Sequence, residues 1–355
     1  MITHLLAGKN EKNTIESTLP EEQEKLAPIM KAIKAIRSNG GTADPYSVES
    51  LEKQRHNQEL LAKLVTPTVT IDYERSAINQ GPHNRIPIEW ARPEFAHRKD
   101  KIIVYCHGGG FTCGGLGYAG ILAGKLAFHT GLEVLTFEYR LAPENPYPAA
   151  IRDAVSVWDY LMHIGYGADD IILAGDSAGG NMALELTLGL KKQKRKLPAA
   201  LILMSPWTDM TVSANSYEKF KDLDPMLTKE YVIGVRDAYI YGLKTANKSD
   251  GYITLKGDFP TQDENEADQN IVDYSDPAYS PLYADLSEMP PVYIQVGSNE
   301  ILRDDSSLLY DKLTEQGGYA KLDIYEGGWH VFQQIPSSRA VHALNDVSEF
   351  INIII

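Results

Sequence analysis

The feature that most constrains this chain is a series of short, nearly unbroken apolar runs set between helical segments. KIIVYC at 101–106, DIILAG at 170–175, ALILMSP at 200–206 and PVYIQVG at 291–297 are too short for core helices. They are also too continuously apolar for strands with one wet face, so they read as strands buried on both sides. EVLTFEY at 133–139 and KLDIYEG at 321–327 continue the series. Helical segments fall between the later strands, at about 116–130, 147–164, 179–194, 304–316 and 336–352. Strand–helix alternation with long crossovers predicts an α/β fold: a mostly parallel sheet with helices on both faces. VTIDY at 69–73 and IPIEWA at 86–91 precede the series with no helix between them, so the sheet is expected to start antiparallel, for eight strands in all.

Two regions stand outside that alternation. Residues 20–64 read as helical, with Leu26, Ile29, Met30, Ile33 and Ile36 at helical spacing and Leu51, Leu60, Leu61 and Leu64 suggesting a second helix. Between Pro206 and Pro290 no strand is evident. Residues 225–242 there look helical. Residues 243–275, which include the acidic run TQDENEADQN at 261–270, are expected as a solvated loop, with a lid or an oligomer contact as the alternative. The 355 residues carry a net charge of −14, which argues against nucleic acid and anionic membranes as partners. No apolar run approaches the roughly 20 residues of a membrane span, and MITHLLAGKNEKN makes a poor signal peptide, so a cytoplasmic protein is expected. The two cysteines, Cys106 and Cys113, cannot form a disulfide framework, and no His/Cys cluster has zinc spacing.

The chemistry is carried by four stretches. Gly175-Asp176-Ser177-Ala178-Gly179 follows a strand and opens a helix, the context in which a serine is held on a sharp turn with its hydroxyl exposed. The helix amides ahead of it favour developing negative charge. Ser177 is therefore the candidate nucleophile. His107-Gly108-Gly109-Gly110 ends an earlier strand, and bare backbone N–H groups there suit an oxyanion hole. Gly108, Gly109 and Ala178 are the expected donors, with Gly110 as a further option, and His107 is expected to fix the loop. Among nine histidines, His330 in EGGWHVFQ lies just past the last strand and is the candidate base; His342, in a late helix, is the alternative. The acid is expected after PVYIQVG, where Glu300, Asp304 and Asp305 compete and Glu300 sits at the strand tip. Phe111 and Trp207 are candidate pocket residues. Asp176 is expected to orient backbone, and Arg140, Glu144 and Asp153 to form a buried polar network. Bulky thiol reagents are expected to inhibit, because both cysteines flank the glycine loop.

HGGGF at 107–111, YRLAPENPYPAA at 139–150, GDSAGGN at 175–181, SPWTDM at 205–210, DPAYSPLYADLSEMPPVYIQVG at 276–297, EILRDD at 300–305 and GWHVFQ at 328–333 occur in that order. Together they resemble the hormone-sensitive lipase family of α/β-hydrolases, the bacterial family IV esterases, over roughly residues 65–352. The resemblance implies an α/β-hydrolase fold with an eight-stranded sheet and a helical cap. Residues 1–65 would form a cap segment and 66–355 the catalytic domain, with a cap insertion at about 208–275. It implies a carboxylesterase acting on short to medium acyl esters with no metal or organic cofactor, and a homodimer as one expected assembly. Many members carry Asp-Pro-Leu-Arg-Asp where this chain has Glu300-Ile-Leu-Arg-Asp304, so its acid is one methylene longer. EILRDD and GWHVFQ resemble members acting on monoterpene-type lactones, which leaves lactones, amides and carbamates as alternative substrates. The competing class is a ligand-binding protein on the same fold. The plant gibberellin receptors have lost the equivalent of the histidine that this chain keeps at His330.

Overall fold

The computed structural model describes residues 9–16, 26–31, 33, 48–64, 71–79, 85–94, 98–242 and 272–355. In chain order its main elements are β1 Glu11–Ile15, α1 Val48–Leu64, β2 Ile71–Asn79, β3 Arg85–Pro93, β4 Arg98–Cys106, α2 Leu116–Thr130 and β5 Leu132–Phe137. They continue with α3 Ala149–His163, β6 Ile171–Asp176, α4 Ala178–Lys192, β7 Ala200–Met204, α5 Ser216–Lys219 and α6 Lys229–Tyr241. The last are β8 Val292–Gly297, α7 Arg303–Glu315, β9 Ala320–Tyr325 and α8 Ser338–Ile354. The strands form one sheet in the order β1-β9-β8-β7-β6-β4-β5-β3-β2. From β4 through β9 the pairings are parallel, while β2–β3 and β3–β5 are antiparallel, as the missing helix between the first two expected strands implies.

The unbroken apolar runs are explained by two cores. Successive strand residues point to opposite faces. Ile102, Val104, Leu173 and Leu201 join α3, α4 and α7 on one face, through Val157, Met182 and Leu309. Ile103, Tyr105, Ile172 and Ile202 join α2 and α8 on the other, through Leu122, Leu126 and Phe350. Every position of β6 and β7 is buried, which is why neither strand shows a polar alternation.

The expected strand count of eight is corrected to nine among the described residues. The addition, β1, pairs in parallel with β9 at the sheet edge. Its sequence, EKNTI, is polar and largely exposed, so it carries no hydrophobic pattern; it pairs through backbone, with one side-chain bond from Asn13 Nδ2 to Asp323 Oδ1 (2.9 Å). The expected strand at 69–73 runs instead as β2 and forms a long antiparallel pair with β3. The N-terminal helical reading holds for residues 26–31 and for α1; the acidic run 261–270 lies outside the described residues. Among the described residues no helix is long and apolar enough to cross a membrane.

The parallel strands all end at one edge, and the loops leaving β4, β6, β8 and β9 carry the candidate residues there. Close packing sets that edge. A Cβ on Gly179, in the first turn of α4, would overlap the carbonyl oxygen of Cys106 at the end of β4. Gly179→Ala is therefore expected to lower stability by about 2 kcal/mol or more. Denaturant unfolding measures this, and a loss below about 0.5 kcal/mol, the range of neutral surface changes, would contradict the packing argument.

Candidate active site

Ser177 is the hinge between β6 and α4. Its backbone sits at φ 53° and ψ −121°, a conformation a side-chain-bearing residue adopts only under constraint. Its N–H donates to the Met204 carbonyl (3.0 Å), and its own carbonyl accepts from Trp207 N–H (3.1 Å), which hold the turn. The hydroxyl is left facing a cleft, 3.0 Å from His330 Nε2.

His330 follows β9 and is buried. Its Nδ1 lies 3.5 Å from Glu300 Oε1, a looser approach than a full hydrogen bond; such contacts in unliganded sites tighten in the reacting complex. Glu300 is wholly buried, and its Oε2 accepts from Ser205 Oγ (2.9 Å) and Gly297 N–H (3.0 Å). Ser205 Oγ in turn accepts from Val331 N–H (3.1 Å), so one hydroxyl ties the carboxylate to the histidine loop. The competing carboxylates are engaged elsewhere. Asp304 accepts from Ser216 N–H (2.9 Å), and Asp305 from Thr208 and Asp209 N–H (2.9 and 3.0 Å). His342 pairs with Asp346 on α8. Of the three carboxylates, only Glu300 meets His330 in this way.

Burial works against a charged His330 ring. The close contact and charge of Glu300, with the charges of Asp224 and Asp176, outweigh it and raise the pKa above 6.5. His107 is the reverse case. It is buried with its Nδ1–H donating to the Gly108 carbonyl (2.8 Å) and its ring stacked on Tyr139, and burial lowers its pKa to about 4. It is a neutral prop for the loop, as expected.

The glycine loop requires one correction. Gly108 N–H donates to Asp176 Oδ1 (2.7 Å), which also accepts from the Tyr105 hydroxyl (2.5 Å). That amide is spent on holding the loop and is not offered to a ligand. Gly109 and Gly110 line the cleft, and Gly109, Gly110 and Phe111 follow one another at φ 116°, 61° and 61°. That left-handed run is one that glycine adopts readily, and it leaves both glycines at the cleft. Ala178 is the first residue of α4, so its N–H belongs to the four that a helix leaves without an internal acceptor. Asp176 orients backbone as expected, and burial pushes its pKa up to about 6.

Phe111 is also corrected. It is fully buried and stacked on Tyr239 at 3.9 Å, beneath the loop rather than in the cleft. Trp207 does line the cleft, and Met226, Leu227, Val232, Val235 and Leu302 make most of its remaining apolar wall. The cleft encloses about 140 Å³. Gln58 of α1, Tyr118 of α2 and Tyr231 of α6 add polar groups that the sequence reading did not assign, nor did it assign Ser205. Ser205 lies inside the SPWTDM motif, but nothing in that spacing says which strand end it would meet. The expected buried network also divides. Arg140 forks onto buried Asp153 (2.8 and 3.0 Å), whereas Glu144 is partly exposed and takes both guanidinium branches of Arg55 from α1 (2.8 Å each). Arg55 also reaches the Thr112 carbonyl (2.9 Å), which pins α1 to the glycine loop.

The family model for the alpha/beta hydrolase fold matches residues 103–264 and 263–334. This chain belongs to the α/β-hydrolase fold family. An esterase of Acinetobacter venetianus is 35% identical over 252 residues, 70% of this chain and 74% of the relative. An acetyl-hydrolase of Streptomyces hygroscopicus is 29% identical over 69% of this chain and 71% of its own length. An esterase described as from the bacterial hormone-sensitive lipase family superposes with a TM-score of 0.74 at 27% identity, covering 91% of this chain and 97% of that one. The chain is a hydrolase of that hormone-sensitive lipase group within the α/β-hydrolases.

Both thiols are buried, and burial raises the pKa of each. This burial argues against the expected inhibition by bulky thiol reagents. Intact-mass analysis after treatment with a bulky maleimide should show no adduct on the native protein and two after denaturation. Rapid labelling of the native chain would contradict the burial.

Proposed function

We propose that the chain is a serine carboxylesterase acting on short-chain acyl esters through an acyl-enzyme. Ser177 is the nucleophile, His330 the general base and Glu300 the acid that orients it. The observation that carries this reading is the 3.0 Å contact between Ser177 Oγ and His330 Nε2 in the cleft at the head of α4. In the first step Ser177 Oγ attacks the ester carbonyl while His330 Nε2 takes its proton. The amides of Gly109, Gly110 and Ala178 hold the tetrahedral oxyanion, each such donor contributing roughly 10²–10³ in rate. Gly110 replaces Gly108 in this role, since Asp176 occupies the Gly108 amide. His330 then protonates the departing alkoxide, and water attacks the acyl-serine by the same route in reverse.

The names of the relatives favour ester hydrolysis, an esterase and an acetyl-hydrolase among them. The cleft volume favours a short acyl group. A dry cavity of about 150 Å³ accommodates one benzene, and the cleft here holds about 140 Å³. The cap reading is a proposal of the same kind, supported by the residues that α1 and α6 contribute to the cleft wall.

Hydrolysis of p-nitrophenyl esters from C2 to C12 tests both points. Turnover should peak at about C2–C4 and collapse by C12, and Ser177→Ala should lose roughly 10⁴-fold or more. Full activity in that variant would end the serine mechanism, and turnover confined to a seven-membered lactone would favour the lactonase alternative.

The pH dependence follows from His330. The base must be neutral, and its pKa is raised, so kcat/KM should climb with pH to a plateau, with a midpoint above 6.5. A profile flat from pH 5 to 9, or a midpoint below 6.5, would remove His330 from the role.

A further inference from the structure

The loop that carries Glu300 is fastened to the cleft wall by a carboxylate that the mechanism above does not use. Asp224 is wholly buried in the segment between α5 and α6. Its Oδ1 accepts from Met226 N–H (2.8 Å) and Leu227 N–H (3.1 Å), and its Oδ2 from Ile301 N–H (3.0 Å). Met226 and Leu227 line the cleft, and Ile301 directly follows Glu300. One side chain thus joins the surface that meets substrate to the loop that presents the acid.

We propose that Asp224 is a positioning residue for the Glu300–His330 pair, setting the acid loop against the cleft wall and adding a negative charge on the imidazole's side of it. This rests on the assignment of Ser177, His330 and Glu300 made above. The charged groups that act on His330 come from three elements: Glu300 after β8, Asp176 at the end of β6, and Asp224 before α6. The coupling is mutual. Burial pushes Asp224 up to about 6, the charge of His330 pulls it down, and the charge of Glu300 pushes it up. An amide cannot copy the arrangement. Both carboxylate oxygens accept from backbone N–H groups, and asparagine would turn its NH₂ toward one of them. Serine can keep an acceptor for the Met226–Leu227 turn while losing both the charge and the Ile301 bond.

The test compares the wild-type enzyme with Asp224→Asn and Asp224→Ser on p-nitrophenyl acetate. Circular dichroism and thermal melts identify the variants that fold, and kcat and KM are measured from pH 5 to 9. In each folded variant kcat should fall about tenfold or more, with KM changed less than about threefold, as for misplaced catalytic groups. The acid limb should also move to lower pH by about 0.5 unit or more, because a charge that favours the imidazolium is gone. An unchanged kcat would overturn the proposal. A fall in kcat with the acid limb unmoved would overturn it too, since that is the signature of scaffolding alone. Failure of the underlying triad reading is recognised separately, by Ser177→Ala retaining the wild-type rate.

Discussion

The contact between the first turn of α4 and the end of β4 governs the rest of the site. Gly179 packs so closely on the Cys106 carbonyl that no side chain fits between them. That approach lets β6 turn sharply into α4 and forces Ser177 into its unusual backbone conformation. It also brings the loop leaving β4 alongside the start of α4, so that Gly109 and Gly110 line the same cleft as Ser177. A site of this kind is preorganised by backbone packing, and the strain at Ser177 is met by the buried sheet on either side of it.

Buried carboxylates do most of the remaining positioning. Asp176 holds Gly108, Glu300 holds Gly297, Asp305 holds Thr208 and Asp209, and Asp224 holds Met226, Leu227 and Ile301. Each takes backbone N–H groups that irregular loops cannot satisfy among themselves. The cost is several negative charges in a small volume, and burial raises the pKa of Asp176, Asp224 and Asp305. His330 sits among them, which is how a fully buried imidazole keeps a raised pKa while the equally buried His107, without such neighbours, has a lowered one.

The parts of the site legible in the sequence were those whose chemistry is local. GDSAGG announces a strand–turn–helix by itself, because its glycines answer to steric demands within a few residues. His330 and Glu300 could be placed because each follows a strand that is readable from its apolar run. Several choices that turn on a distant partner are not legible there. The sequence favours Gly108 over Gly110 as a donor, but Asp176, 68 residues on, claims the Gly108 amide. Phe111 was a reasonable pocket residue until Tyr239 of α6 covered it. Glu144 belonged with Arg140 by proximity, yet its partner is Arg55. The strand β1 pairs through backbone at an edge and leaves almost no trace in side-chain pattern.

The sequence by itself determined the doubly covered parallel sheet, the serine turn and the late histidine, because strand burial and tight turns leave period and composition in the residues that make them. Only the tertiary structure decided which glycine amide Asp176 takes, which side chains line the cleft, and which residues of α1 and α6 join its wall. Those outcomes are set by hydrogen bonds between residues tens to hundreds of positions apart, and a linear pattern carries no record of which buried acceptor reaches a given donor first.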